Sequence, residues 1–179
     1  MNRDELKIKF EDIPPEGLSL GFEDQKGDLI KDCYPISRPI RAKVHLQRWG
    51  IFDVKVTGEV ETEVKLTCDR CLKEFPFEIK GRINVLLEPR AVLSRLKEEV
   101  RLTKEDLDVI FFDGITVEVD EVVREEILLA VPMRKLCKET CKGLCPICGQ
   151  DLNEKSCECK PAFKDSPFAI LKKLVVSSR

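Results

Sequence analysis

Six of the nine cysteines fall within the last forty-three residues, as Cys137-x3-Cys141-x3-Cys145-Pro146-x-Cys148-Gly149-x7-Cys157-x-Cys159. Thiolates are soft ligands, and a chain concentrates them where it holds zinc. Cys68-x-x-Cys71 supplies two more far upstream, and Cys33 stands alone. Two cysteines spaced x-x on a tight turn put both sulfurs on one side of the backbone. They then occupy two corners of a tetrahedron with metal–sulfur distances of about 2.3 Å. Gly149 permits the positive-φ backbone that aims N–H groups at sulfur. Eight sulfurs suffice for one or two structural Zn2+ ions. Spacing leaves the pairing open: Cys157 and Cys159, or Cys137 and Cys141, can complete the Cys145–Cys148 knuckle, and either remaining pair can join Cys68 and Cys71.

Other thiol chemistries compete. A metal-free thiol cluster would oxidise readily, and thiolate count alone also suits an iron–sulfur cluster. A redox-sensing Cys68–Cys71 dithiol would belong at a helix N-terminus; here strand-like sequence lies on both sides. Catalysis has little to work with. The single histidine, His45, falls on the polar face of its strand, and no GxGxxG, P-loop or HExxH occurs. All-thiolate zinc sites are closed and structural. The chain is therefore expected not to be an enzyme, with no catalytic residues and no small-molecule substrate.

The start MNRDELKIKF is charged and has no apolar h-region, and no run of about 18 apolar residues occurs. A soluble cytoplasmic protein without a membrane partner is expected, and in a reducing compartment clustered cysteines read as ligands before disulfides. Net charge is −2, yet residues 134–179 carry ten Lys/Arg against five Asp/Glu. A basic, cysteine-rich tail on an acidic body suits a local RNA or partner contact, with Lys135, Lys138 and Lys142 as its candidates.

The elements that must position these groups are mostly strands. Val54, Val56, Gly58, Val60, Thr62, Val64 and Leu66 alternate with charged or polar residues, the period-two pattern of a strand with one wet face. Residues 75–87 repeat it, as do Ile40, Ala42, Val44 and Leu46 upstream. Three antiparallel strands follow, with Cys68 and Cys71 at the second turn, and Gly58 and Gly81 as places for a bulge. Residues 6–10 read as a further short strand, and after the Pro14-Pro15 break residues 18–22 form a short apolar run. The Asp113-Gly114 turn predicts a hairpin between residues 109–112 and 115–119. Asp120 is the expected cap of a helix over 121–131, ended by Pro132. Residues 91–107 are expected to be partly helical, and Ser166-Pro167 to open a last helix. The fold class predicted is α+β: an antiparallel, curved β-meander able to curl toward a barrel, with a few helices and a C-terminal zinc-knuckle segment. Residues 1–133 would form the body, and 134–179 the metal-binding segment plus a helix packing on it.

The run Leu128-Leu129-Ala130-Val131-Pro132-Met133, then Leu136-Cys137, Cys141-Lys142-Gly143-Leu144-Cys145-Pro146-Ile147-Cys148-Gly149, Leu152-Asn153 and Cys157-Glu158-Cys159, resembles the bacterial YceD family of large ribosomal RNA subunit accumulation proteins. Cys68-Asp69-Arg70-Cys71-Leu72 and the ending Ser166-Pro167-Phe168-Ala169-Ile170-Leu171-Lys172-Lys173-Leu174 are similar too. The resemblance implies a role in accumulation or processing of 23S rRNA, with its precursor or large-subunit assembly factors as partners. It also implies that metal stabilises the protein and is not itself the activity. Residue chemistry and resemblance together favour a non-enzymatic ribosome-biogenesis factor. The alternatives are an adaptor recruiting a nuclease or assembly factor without touching RNA, and a thiol redox sensor.

Overall fold

The computed structural model describes residues 6–90 and 109–159. The expected helices over 91–107 and after Ser166 lie outside the described residues. The chain divides into two compact units: residues 1–66 with 74–135, and residues 67–73 with 136–179. The Cys68–Cys71 turn thus belongs to the cysteine-rich unit, although it connects two strands of the first.

The first unit is built on a five-stranded sheet. Strands β1 (Lys7–Lys9), β2 (Leu18–Asp24), β3 (Ile36–Trp49), β4 (Asp53–Thr67), β5 (Glu74–Pro89), β6 (Val109–Phe112) and β7 (Thr116–Glu118) precede helix α1 (Val119–Ala130). The sheet order is β2-β3-β4-β5-β6, and β1 pairs with β7 in a separate two-stranded sheet. The period-two face predicted from sequence is the buried one. Ile40, Val44 and Leu46 on β3, Val54, Val56, Val60, Val64 and Leu66 on β4, and Ile79, Ile83 and Leu87 on β5 are all 3% exposed or less. Each such side chain stabilises the fold by roughly 1.5–3 kcal/mol relative to exposure. Helix α1 lies against β5 and β1, burying Val119, Val122, Val123 and Ile127, which share one helical stripe.

Three expectations need correction. Among the described residues the sheet does not close into a barrel: β2 and β6 are its open edges. Strands β6 and β7 do not form a hairpin, because β6 runs parallel to β5 and β7 pairs antiparallel with β1. The Asp113-Gly114 signal does turn the chain, since the Asp113 carboxylate accepts the N–H groups of Ile115 and Thr116 at 2.7 and 2.8 Å and Gly114 takes φ 83°. A turn signal reverses direction; it does not choose the pairing partner. Finally, Asp120 is not the helix cap. Glu118 holds that position without a side-chain bond, and Asp120 is buried in the first turn with Oδ1 unpartnered.

Gly58 is also not a bulge. It pairs in register with Val44, and a Cβ there would stand 2.3 Å from the Lys43 carbonyl oxygen. Close backbone approach requires this glycine. The register shifts of β3 against β4 fall instead between Ile36 and Arg41, around Pro39. Proline has no N–H for the ladder, so an interior strand absorbs it as an irregularity.

Candidate metal centre

The cysteine-rich unit opens with a tight turn repeated later in the chain. In the first turn the N–H of Cys68 donates to Lys73 O, and Leu72 N–H donates back to Cys68 O, both at 2.9 Å. In the second, Cys145 N–H donates to Gln150 O at 2.8 Å, and Gly149 N–H to Cys145 O at 2.9 Å. The fifth residue of each turn is left-handed: Leu72 at φ 59° and Gly149 at φ 73°. Leu72 is the one non-glycine residue with positive φ among those described. The sequence hides this duplication, because leucine stands where glycine would have signalled the turn.

These turns aim backbone N–H groups at sulfur. Donors from Cys137, Cys71 and Arg70 act on Cys68, and those from Cys148 and Ile147 act on Cys145. Both thiols are brought down to about 6 from an ordinary 9.0. Other members resist ionisation: burial pushes Cys137 up to about 12, and the neighbouring Cys148 thiol with burial does the same to Cys159. Ionising one thiol of a close-packed group opposes ionising the next, because like charges repel.

The eight sulfurs form two sets of four, Cys68 with Cys71, Cys137 and Cys141, and Cys145 with Cys148, Cys157 and Cys159. Within each set the sulfurs lie within 4.8 Å of one another. Sulfurs of Cys68 and Cys141 are 3.9 Å apart, and those of Cys71 and Cys137 3.7 Å. A tetrahedron with metal–sulfur arms of 2.3 Å has edges of about 3.8 Å, so the spacing fits a four-thiolate metal site. It is far beyond a disulfide bond, and all nine cysteines are free. The pairing that spacing left open is thus drawn by geometry. Cys33 is outside both sets, exposed and 3.6 Å from Arg124 Nη2.

The two sets differ in cover. Cys68, Cys71 and Cys141 are buried, whereas Cys148 is exposed and Cys157 and Cys159 are half-buried. Around the first set Arg70 donates to the Cys141 carbonyl, and Asn153 Nδ2 donates to Cys141 Sγ at 3.5 Å. Asn153 is positioned by Asp151, whose Oδ1 accepts its backbone and side-chain N–H groups at 2.8 and 2.7 Å. Asp151 is ion-paired with Lys73 at 2.9 Å. Lys73, then Asn153, hold the Asp151 carboxyl down to about 2.

The predicted contact lysines fall on different units. Lys138 and Lys142 are exposed on the cysteine-rich unit. Lys135 belongs to the first unit, where its ammonium lies 5.2 Å from the centre of the Tyr34 ring. His45 is half-buried and hydrogen-bonded to Ser19 at 2.9 Å, a pairing the sequence did not suggest because the residues meet only across the β2–β3 register. Its Cε1–Nε2 edge covers Gly17, where a Cβ would stand at 2.6 Å. This is a cross-strand pair packed on backbone.

A small β-rich unit with a paired-knuckle thiolate unit defines the class. Residues 56–175 match the YceD family, the large ribosomal RNA subunit accumulation proteins, and the chain belongs to that family. Among its relatives are the large ribosomal RNA subunit accumulation proteins YCED homolog 1, chloroplastic, of Arabidopsis thaliana and Zea mays. Each is 27% identical, over 79% and 60% of this chain respectively. An uncharacterized protein, YlbN, of Bacillus subtilis is 32% identical over 69% of it. The chain spans 50% and 44% of the plant relatives and 65% of the bacterial one. No solved structure matches. No helix among the described residues is long and apolar enough to cross a membrane.

Proposed function

We propose that this chain is a non-catalytic assembly factor supporting accumulation of large-subunit ribosomal RNA, with its cysteine-rich unit held by two structural Zn2+ ions. Family membership supports the role, and the observation that carries the metal reading is the gathering of eight sulfurs into two sets of four, each within 4.8 Å. Bound zinc would supply a closed tetrahedral cross-link, leaving no open position for substrate. The residues do the rest: two turns of the same hydrogen-bond pattern present sulfur, and the exposed Lys138 and Lys142 of the same unit offer charge to pre-ribosomal RNA.

Charge limits how broad that contact is. The cysteine-rich unit has ten Lys/Arg against six Asp/Glu, a net of +4 with neutral thiols. Each zinc with four thiolates carries −2, so full loading brings the unit close to zero. An RNA contact through Lys138 and Lys142 therefore involves few phosphates. Its log-affinity should fall with log salt at a slope of about 2.

The test is complementation. Cells lacking the gene receive the wild type or Lys138→Glu with Lys142→Glu, and mature 23S rRNA is quantified beside RNA binding of the purified proteins. Loss of both with the charge-reversed variant supports the contact. Full complementation together with unaltered RNA affinity sinks it. The near-neutral loaded unit favours a second reading, recruitment of an assembly factor or nuclease without RNA contact; a pull-down whose partners survive nuclease treatment would select it.

A further inference from the structure

The turn between β3 and β4 leaves Trp49, Ile51 and Phe52 57%, 79% and 59% exposed. Ile115, 65% exposed, reaches the same end of the first unit, because its carbonyl accepts the N–H of Phe10 at 2.8 Å. The Phe10 ring in turn lies 6.4 Å from that of Phe52. Arg48 fixes this end of the unit. Its guanidinium sits 4.8 Å over Phe10 and donates to the carbonyls of Phe10 and Glu11 at 3.1 and 2.9 Å. Single exposed hydrophobic residues need no explanation, but three on one hairpin turn, with a fourth tied to the same end through Phe10, do.

The border of this patch is acidic. Glu11, Asp12 and Asp113 are exposed, and Asp53 stands opposite Trp49 in the hairpin register. Among the described residues, the cations at this end include Lys9, which pairs across from Thr116, and the clamped Arg48. The whole unit carries 21 Lys/Arg against 27 Asp/Glu, a net of −6.

We propose that this rim docks a basic polypeptide segment carrying apolar anchor side chains. The proposal is independent of the metal reading, since none of its residues belongs to the cysteine-rich unit. Three other occupants meet like charge here: RNA phosphates, anionic lipid headgroups, and a second copy of the same acidic unit. A segment rich in Lys and Arg with Leu, Ile or Phe anchors matches both the apolar centre and its border.

Trp49 is the single tryptophan of the chain, so its emission reports on this site alone. The metal-loaded full chain is titrated with a short peptide of alternating Leu and Lys. A saturable blue shift is expected, abolished by Phe52→Ser and weakened at least tenfold, ~1.4 kcal/mol, by Glu11→Lys with Asp12→Lys. The charge-reversed variant keeps the apolar patch, and far-ultraviolet dichroism checks its fold. The proposal is overturned by no shift with this peptide, or by an equal shift with a Leu–Glu peptide. A matching shift with poly(U), with anionic vesicles, or on raising protein concentration alone overturns it as well.

Discussion

Asn153 holds the Cys141 segment at two points: its Nδ2 donates to Cys141 Sγ at 3.5 Å, and its Oδ1 accepts the N–H of Lys142 at 2.9 Å. It lies in the loop between Cys148 and Cys157, yet it serves a sulfur of the other set. Groups that donate to a ligand typically change metal affinity by 10–100-fold when removed. Asn153→Ala should therefore accelerate zinc loss from the Cys68 set, seen as a faster slow phase in chelator competition. An unchanged slow phase would show that the amide matters only to the loop.

Elemental analysis should find two zincs per chain, falling to one in Cys68→Ser and to one in Cys145→Ser, with Cys33→Ser unaffected. Because Cys148 is exposed while Cys68, Cys71 and Cys141 are buried, the Cys145 set should release its ion first. A single zinc in the wild type contradicts two separate sites.

Gly149 has nothing within 4 Å of where a Cβ would stand, so substitution there probes backbone conformation alone. At φ 73°, Gly149→Ala should destabilise the loaded protein by about 1–2 kcal/mol. Leu72→Gly should not destabilise it, since Leu72 is 64% exposed and already left-handed. Chemical unfolding of both variants checks the contrast; equal losses would mean that the two turns are not equivalent.

Two carboxyls of the first unit should give opposite pH effects. The N–H groups of Thr116, then Ile115, hold Asp113 below its ordinary value of 3.8. Its folded form favours the charge, so its contribution is full above that value and fades as pH falls further. Asp113→Asn should flatten stability across that acid range. Burial, then repulsion from Glu118, Asp120 and Glu125, raises Glu121 above 4.5. That charge opposes folding at neutral pH, so Glu121→Gln should stabilise at pH 7 and gain nothing in acid. Denaturant melts across pH read both slopes, and parallel curves for wild type and variants would refute them.

The long strands were legible because Val54, Val56, Val60, Val64 and Leu66 keep period two without interruption, and burial on one face demands that pattern. The Cys68 turn was legible for the same reason, being the gap between two such runs. Pairing was not. Nothing local distinguishes Cys137 from Cys157 as the partner of Cys68, and nothing in Val109–Phe112 says that it will add in parallel to β5. Gly58 looked like a bend because its neighbour across the sheet, Lys43 O, is visible only after the register is set. Leu72 hid a glycine-type turn for an energetic reason: the hydrogen bonds of the turn outweigh the left-handed strain of one residue.

Cys71 and Cys137, whose sulfurs stand 3.7 Å apart, are separated by 66 positions in the chain. At about 5–20 residues per second of synthesis, the early knuckle waits roughly 3–13 s on the ribosome for the sulfurs that complete it. Throughout that interval Cys68 and Cys71 would offer only half a ligand set, open to oxidants and to the wrong metal. Closing the ring then removes freedom from a long stretch of chain, a cross-link worth about 4 kcal/mol by loop entropy. The metal would therefore act as a late latch, set only after the strands that flank its first two ligands have been made.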